Sequence, residues 1–233
     1  MSRLLYLSLI ELKGSNGMEK LEFGVQIFNQ IGKPNLFSWN TMIRFFAVFD
    51  PVIALNYYIQ MLSRELVPDK YTFPFVLQAC GAGLDLGSVK QLHGHVVKLV
   101  LDDDLFVQNS LLNAYIICRS DADAWSVFNE MPEKDIVSWT SLISGLVSQC
   151  SYSDALSLFK KLLSDDRQPQ PNVVTVVSTM SACGSLGMKL IDMVWSWTWF
   201  LKDLNSFLDR SKSIRRARGI LSFVWRKSLS LTE

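Results

Sequence analysis

The chain has 233 residues, of which 49% are hydrophobic and 19% are charged, which is enough to bury a sizeable apolar core. Its 23 Lys and Arg nearly balance 22 Asp and Glu, but residues 36–172 hold 10 basic against 15 acidic side chains, whereas residues 173–233 hold 9 against 4. The most apolar stretch, residues 190–201, contains Asp192. It is too short to span a bilayer, which needs about 18 or more apolar residues, so we expect no membrane segment.

Five apolar openings recur along the chain at steps of 31 to 37 residues. A period of this length is typical of stacked supersecondary units, and each opening predicts the first helix of one unit. In the first of them Trp39, Met42 and Phe46 share one helical face. The openings are Leu36–Ile43, Lys70–Leu77, Leu105–Leu112, Ile136–Ile143 and Val173–Met180.

A second helix is predicted after each opening by a small residue that stands four positions before an aromatic one. Residues i and i+4 share a helix face, so the small residue admits a neighbouring helix and the ring fills the adjacent space. Proline then ends the unit, as at Pro34, Pro68, Pro132 and Pro171. The pairs are Gly24 with Phe28, Ala54 with Tyr58, Ala124 with Phe128, and Ala155 with Phe159.

One such two-helix unit cannot bury its apolar face alone, and neighbouring units must stack. The sequence therefore predicts an all-α fold, an α-solenoid (superhelix) of stacked helix-turn-helix repeats. The predicted divisions are a partial N-terminal repeat at 1–35, complete repeats at 36–69, 70–104, 105–135 and 136–172, and the start of a further repeat at 173–187.

Four short sequence segments resemble those of a known family. They are Phe37–Ile43 (FSWNTMI), Tyr71–Cys80 (YTFPFVLQAC), His93–Lys98 (HGHVVK) and Val137–Gly145 (VSWTSLISG). Over residues 18–187 the chain resembles the pentatricopeptide repeat proteins of plants, in the branch where standard, long and short repeats alternate; 70–104 looks like a long repeat and 105–135 like a short one. Tetratricopeptide repeats share the two-helix plan and usually bind peptides, but the 35/31 alternation and the Ser-Trp-Asn opening disfavour them.

The resemblance implies single-stranded RNA binding at about one base per repeat. In that family the fifth residue of the first helix and the last residue of the repeat meet the base edge, and the second residue packs on the base face. The implied fifth and last residues are Asn40 with Asp69, Pro74 with Asp104, Asn109 with Asp135, and Thr140 with Asn172; the second residues are Phe37, Tyr71, Phe106 and Val137. By the family's pairing rule the preference from the 5′ end is U, any base, U, A.

The resemblance also implies a role in organellar RNA processing or editing, with RNA-editing or processing proteins as partners. The mitochondrion is slightly preferred to the chloroplast, although Met1–Asn16 is a weak transit peptide. No small-molecule substrate is expected. Two alternatives stay open: a scaffold for protein–protein interaction, and an inactive fragment of a longer protein.

No catalytic site, metal or cofactor is predicted. Some relatives end in a zinc-dependent deaminase, which needs His-x-Glu followed by Pro-Cys-x-x-Cys, and neither motif occurs in this chain. His93 and His95 are predicted to be half-buried packing residues of a second helix. The four cysteines, Cys80, Cys118, Cys150 and Cys183, lack the paired spacing of a zinc or redox site and are predicted to be small buried hydrophobes.

Residues 188–233 depart from the family pattern. They contain Trp195, Trp197 and Trp199 at alternate positions and a basic stretch over 210–218. We interpret this tail as a non-homologous end of a truncated or altered chain, packed loosely or disordered. A basic, aromatic tail that binds RNA or a membrane surface is the alternative.

Overall fold

The computed structural model describes residues 17–164 and 167–187. These residues form ten α-helices and no strand. In chain order the helices are α1 (Gly17–Gln30), α2 (Leu36–Phe49), α3 (Pro51–Ser63), α4 (Phe73–Ala82), α5 (Leu86–Lys98), α6 (Leu105–Ile117), α7 (Asp121–Glu130), α8 (Ile136–Ser148), α9 (Tyr152–Ser164) and α10 (Val173–Ser185). The predicted all-α class is confirmed.

The helices alternate between two layers. The first helices of successive units pack side by side, α2 on α4, α4 on α6 and α6 on α8. The second helices α3, α5 and α7 each pack between the first helix of their own unit and that of the next. This is the packing of an α-solenoid, as predicted. It lies in the first of two compact units of the chain, Met1–Thr179; the second is Met180–Glu233.

The core repeats one aromatic contact. Phe28 of α1 meets Trp39 edge to face at a centroid distance of 4.8 Å, and Phe128 of α7 meets Trp139 in the same way at 5.0 Å. Both indoles are almost completely buried. Because an aromatic side chain buries 150–250 Å² and apolar burial contributes about 25 cal/mol per Å², these Trp residues are major contributors to packing between units, as predicted.

Four of the five predicted first helices begin where the sequence places them, at Leu36, Leu105, Ile136 and Val173. The fifth prediction is wrong, because α4 begins at Phe73 instead of Lys70. Proline has no N–H, so Pro74 cannot donate the hydrogen bond that would place Lys70 in the helix. Residues 70–72 instead form a turn.

Five helices end on a non-glycine residue in the left-handed conformation: Glu65, Leu84, Val100, Arg119 and Cys150, with φ of 53° to 63°. After α5, Val100 N–H donates to Val97 C=O and Leu101 N–H to Val96 C=O, which is the Schellman arrangement. This geometry corrects one prediction: Cys150 is exposed, since it lies beyond the packed face of α8. Cys118 is half-buried, while Cys80 and Cys183 are buried as predicted.

The two histidines of α5 are half-buried, as predicted, and each pairs with a tyrosine. His93 Nδ1 lies 2.9 Å from the hydroxyl of Tyr115 on α6, and His95 Nδ1 lies 2.7 Å from that of Tyr58 on α3. Burial lowers the pKa of His95 and raises the pKa of Tyr115 to about 12. Across the described ranges no cluster of three His, Cys, Asp or Glu side chains is suited to a metal ion.

Two predictions lie outside the described residues. They are residues 1–16 of the partial repeat predicted at 1–35, and the tryptophan-rich, basic tail at 188–233.

Candidate nucleic-acid interface

The second residue of each complete repeat projects outward from the stack. Phe37 is 50% exposed, Tyr71 58%, Phe106 54% and Val137 50%. Large apolar side chains that recur at one register and stay exposed are not explained by core packing, and contiguous exposed apolar surface marks interaction sites.

The polar pair predicted for the first complete repeat is in direct contact. Nδ2 of Asn40 donates to Oδ1 of Asp69 at 3.1 Å, and only 9% of Asn40 is exposed. The hydroxyl of Thr72 lies 2.8 Å from Oδ1 of Asn40 and 2.9 Å from Oδ1 of Asp69, so its single proton is shared between them. The side chain of Asn40 is therefore held with its amide oxygen toward Thr72 and its nitrogen toward Asp69.

The short repeat reproduces this network 69 residues later. Nδ2 of Asn109 donates to Oδ1 of Asp135 at 3.2 Å. The hydroxyl of Ser138 lies 2.7 Å from Oδ1 of Asn109 and 2.9 Å from Oδ1 of Asp135. Ser138 and Thr72 occupy the same place, the third residue of the following repeat, and both are fully buried.

The predicted pair Thr140 and Asn172 does not make direct contact. Thr175, again the third residue of the next repeat, lies between them. Its hydroxyl is 2.6 Å from Oγ1 of Thr140 and donates to Oδ1 of Asn172 at 2.9 Å. Either hydroxyl can donate across the contact between Thr140 and Thr175, and Thr140 is the donor when the Thr175 proton goes to Asn172.

The long repeat has no such network. Pro74 has no polar side-chain atom, and the third residue of the next repeat is Val107, which is fully buried. Asp104 instead accepts hydrogen bonds from the N–H groups of Phe106 and Val107, and its Oδ2 lies 3.4 Å from Nζ of Lys70.

Grooves open beside the two Asn–Asp pairs. One has a volume of about 680 Å³, and its lining includes Asn40, Asp69, Phe37, Tyr71 and Arg44. The other, of about 700 Å³, includes Phe106, Val137, Asn109 and Asp135. Each groove therefore combines a polar pair with two large apolar side chains.

Four of the repeat-ending residues also cap the next helix. Side-chain oxygens of Asn35, Asp104, Asp135 and Asn172 each accept a hydrogen bond from a backbone N–H two or three residues later, which is N-cap geometry. Asp69 accepts from the N–H of Thr72 in the same way, but within the turn that precedes α4. Burial alone would raise the pKa of Asp135, but hydrogen bonds from Ser138, Asn109 and the Val137 amide hold that pKa below its ordinary value.

Sequence reasoning missed the linking hydroxyls of Thr72, Ser138 and Thr175. A signal was present: a hydroxyl residue stands at this place wherever the fifth residue of the preceding repeat is polar, and Val107 replaces it where that residue is Pro74.

A stack of two-helix units whose first helices carry a recurring polar pair defines an α-solenoid repeat protein. Within it, the PPR repeat model matches residues 109–136 and 137–166. Pentatricopeptide repeat-containing protein At3g22690 of Arabidopsis thaliana is 39% identical over 172 residues, 72% of this chain and 20% of that protein. At1g59720 of the same species, named chloroplastic/mitochondrial, is 36% identical over 201 residues, 85% of this chain and 31% of that protein. The chain belongs to the pentatricopeptide repeat proteins.

Solved structures share the fold. The crystal structure of PPR10 from maize superposes with a TM-score of 0.63 at 18% identity over 80% of this chain and 27% of that one. PPR10 in complex with an 18-nt psaJ RNA element gives 0.67 at 15% identity over 91% of this chain and 31% of that one. The present chain thus spans about a fifth to a third of the length of these curated relatives and solved structures.

None of the helices within 17–164 and 167–187 is long and apolar enough to cross a bilayer.

Proposed function

We propose that this chain binds single-stranded RNA along its first helices, with about one base per repeat, and without a catalytic site of its own. One observation carries the proposal: a hydrogen-bonded Asn–Asp pair lies in a groove between exposed apolar residues, and the arrangement occurs twice, at Asn40–Asp69 and at Asn109–Asp135. Aromatic side chains stack on bases, which is worth about 1–3 kcal/mol per base.

The free hydrogen-bonding groups support uracil at the Asn–Asp pairs. Asn40 Nδ2 has a second N–H, and Oδ2 of Asp69 accepts no hydrogen bond from the residues that the structure describes. Uracil offers an O4 acceptor beside an N3–H donor, which complements one free donor beside one free acceptor. At the fourth repeat, the arrangement in which Thr175 donates to Asn172 and Thr140 donates to Thr175 would leave Thr140 an acceptor for the adenine amino group.

The biological setting is inferred from relatives. PPR10 was crystallised with an RNA element, and several relatives are named chloroplastic or mitochondrial. We therefore place this chain in organellar RNA processing or editing, in a mitochondrion or chloroplast, together with editing or processing proteins that supply the chemistry.

Affinity for RNA is expected to be weak. Phosphate binding depends on Lys and Arg that release counterions, but residues 36–172 hold 10 basic against 15 acidic side chains. Four complete repeats also read few bases.

The test is a titration of the full chain with oligonucleotides that contain U-N-U-A or its permutations, at two salt concentrations. Asn40→Ala with Asn109→Ala is expected to abolish the uracil preference. The matched control is Asn56→Ala with Asn129→Ala, which truncates two exposed asparagines of the second-helix layer, on α3 and α7. It is expected to bind like the original chain.

Equal binding of all oligonucleotides, unchanged by the Asn40 and Asn109 substitutions, would refute base reading. A sharper positive outcome comes from Asn109→Thr with Asp135→Asn. This exchange copies the fourth repeat and is expected to move the preference at the third nucleotide from uracil to adenine.

A further inference from the structure

The third residue of each following repeat is not among the residues that meet the base. It nevertheless contacts the base-reading pair in all three repeats whose fifth residue is polar. Thr72, Ser138 and Thr175 place their hydroxyl oxygens 2.8, 2.7 and 2.6 Å from the fifth-position oxygens of Asn40, Asn109 and Thr140.

We propose that these hydroxyls are positioning residues that decide whether the fifth residue presents a donor or an acceptor to the base. The inference rests on the proposed RNA-binding function, because it assigns base preference to a residue that acts through another.

The hydrogen bonds of each asparagine set its orientation. An amide side chain has a donor end and an acceptor end that differ little in shape, so only its hydrogen bonds fix which end points where. In the short repeat the Ser138 hydroxyl shares its single proton between Oδ1 of Asn109 and Oδ1 of Asp135, while Oδ1 of Asp135 also takes one N–H of Nδ2 of Asn109. The group left for a ligand is the second N–H, a donor.

The same hydroxyl gives the opposite result at the fourth repeat. When Thr175 directs its proton to Oδ1 of Asn172, its contact with Thr140 takes the proton of Thr140. Thr140 then has only lone pairs left for a base, an acceptor. Thus a hydroxyl at one place produces a donor beside asparagine and an acceptor beside threonine.

The long repeat offers the contrast within the chain. Its fifth residue, Pro74, has nothing to orient, and the third residue of the next repeat, Val107, is buried and apolar. A hydroxyl needed only to cap the helix would be useful there too, since Asp104 caps α6 as Asp135 caps α8. The hydroxyl instead accompanies the polar fifth residue.

The experiment compares Ser138→Ala, which deletes the hydroxyl, with Ser138→Thr, which keeps it and copies Thr72 and Thr175. Binding is measured to oligonucleotides with U or C at the third nucleotide. Ser138→Ala is expected to reduce the U-to-C affinity ratio by about three- to tenfold, the effect of one hydrogen bond, and Ser138→Thr is expected to retain the original ratio.

Two outcomes would overturn the inference. If Ser138→Ala weakens binding to U and C equally, the hydroxyl is structural. If Asn109→Ala abolishes the preference but Ser138→Ala leaves the ratio unchanged, base reading stands and the positioning role fails. If instead Asn109→Ala changes nothing, the proposed function itself fails.

A second measurement needs no RNA. In NMR spectra of the full chain, the Nδ2 proton of Asn109 that donates to Asp135 is expected to lie downfield of its position in a free asparagine side chain. This downfield shift is expected to persist in Ser138→Thr and to decrease in Ser138→Ala as the side chain gains freedom to rotate about χ2. Identical amide shifts in all three proteins would also overturn the inference.

Discussion

Gly145 of α8 lies directly against Ile116 of α6: a Cβ atom placed on Gly145 would be only 2.5 Å from Cγ2 of Ile116. The contact sets how closely successive first helices approach, because the γ carbons of a β-branched side chain cannot swing away without a change of rotamer.

Gly145→Ala is therefore expected to destabilise the fold by about 1–3 kcal/mol, the usual cost of overpacking, despite the higher helix propensity of alanine. The matched control is Gly94→Ala in α5, where a Cβ would have no neighbour within 4 Å. It is expected to stabilise by about 0.5–1 kcal/mol. Urea denaturation measures the change in unfolding free energy of both variants. Stabilisation by Gly145→Ala would show that α6 and α8 can move apart without cost.

Val100→Gly is expected to stabilise the protein by about 0.5–1 kcal/mol. Val100 has φ of 56° at the end of α5, a conformation that is strained for a β-branched residue and free for glycine, and it is 79% exposed, so little packing is lost. Val97→Gly, within the same helix, is the control and is expected to cost about 1 kcal/mol. If thermal denaturation shows that Val100→Gly and Val97→Gly lose the same stability, the left-handed conformation of Val100 is not strained.

The two core indoles are expected to respond differently to phenylalanine. Nε1 of Trp139 donates to Oε1 of Gln168 at 3.1 Å, whereas Nε1 of Trp39 is buried and donates to none of the described residues. Both substitutions remove similar volume, but only Trp139→Phe breaks a hydrogen bond, so it is expected to cost about 1 kcal/mol more. A larger loss for Trp39→Phe in chemical denaturation would reverse this ranking.

Acid is expected to weaken the fold partly through Asp135. Its folded-state pKa lies below its ordinary value, which is about 3.9 in an unfolded chain. The charged carboxylate therefore stabilises the fold at neutral pH, and this contribution is lost as the pH falls from about 4 through the folded-state value.

Asp135→Asn keeps a helix-capping side chain but removes this titration. The difference in unfolding free energy between pH 7 and pH 3 is expected to become smaller than in the original chain. Glu133→Gln, in the exposed loop before α8, loses the same charge and is expected to leave that difference unchanged. An unaltered acid response in Asp135→Asn would exclude the carboxylate as a cause.

Arg44 is the basic residue expected to contribute most to any electrostatic contact with phosphate. It lines the groove beside Asn40, and its guanidinium lies 5.3 Å from the centre of the Phe75 ring. Arg44→Gln is expected to lower the slope of log affinity against log salt by roughly 0.7. Lys160→Gln, on the exposed surface of α9, removes the same charge outside the groove and should leave the slope unchanged.

Periodicity predicted most of the fold because each unit repeats the same local signals. The apolar face around Trp39, the proline turns and the capping residues are all short-range features, so four first helices begin at their predicted residues. The start of α4 was missed because the alignment with the other units placed it at Lys70, whereas Pro74 has no backbone N–H to donate to the carbonyl of Lys70. Cys150 was misplaced because cysteine alone does not reveal a left-handed helix end.

The sequence named residues of the candidate site, but it did not predict the hydrogen bonds that connect them. Asn109 and Asp135 were chosen because the family resemblance, applied to the repeat boundaries, implies the fifth and last residues of each repeat. The hydroxyl of Ser138, the shared proton at Thr72 and the bridge at Thr175 depend on distances of less than 3 Å between helices of neighbouring units. Sequence spacing does not give such distances, although the alternation of hydroxyl residues with Val107 indicated that the position matters.

Asp135 serves two purposes at once, since it caps α8 and lines the groove beside Asn109. Only a few side chains cap helices well, chiefly Asn, Asp, Ser and Thr, and these four also differ in the hydrogen bonds that they offer. If the residue that closes a repeat reads the base, the RNA sequences that the protein recognises are set by the few residue types that cap helices. A lineage of such proteins could then change its target by exchanging one capping residue for another, at little cost to folding.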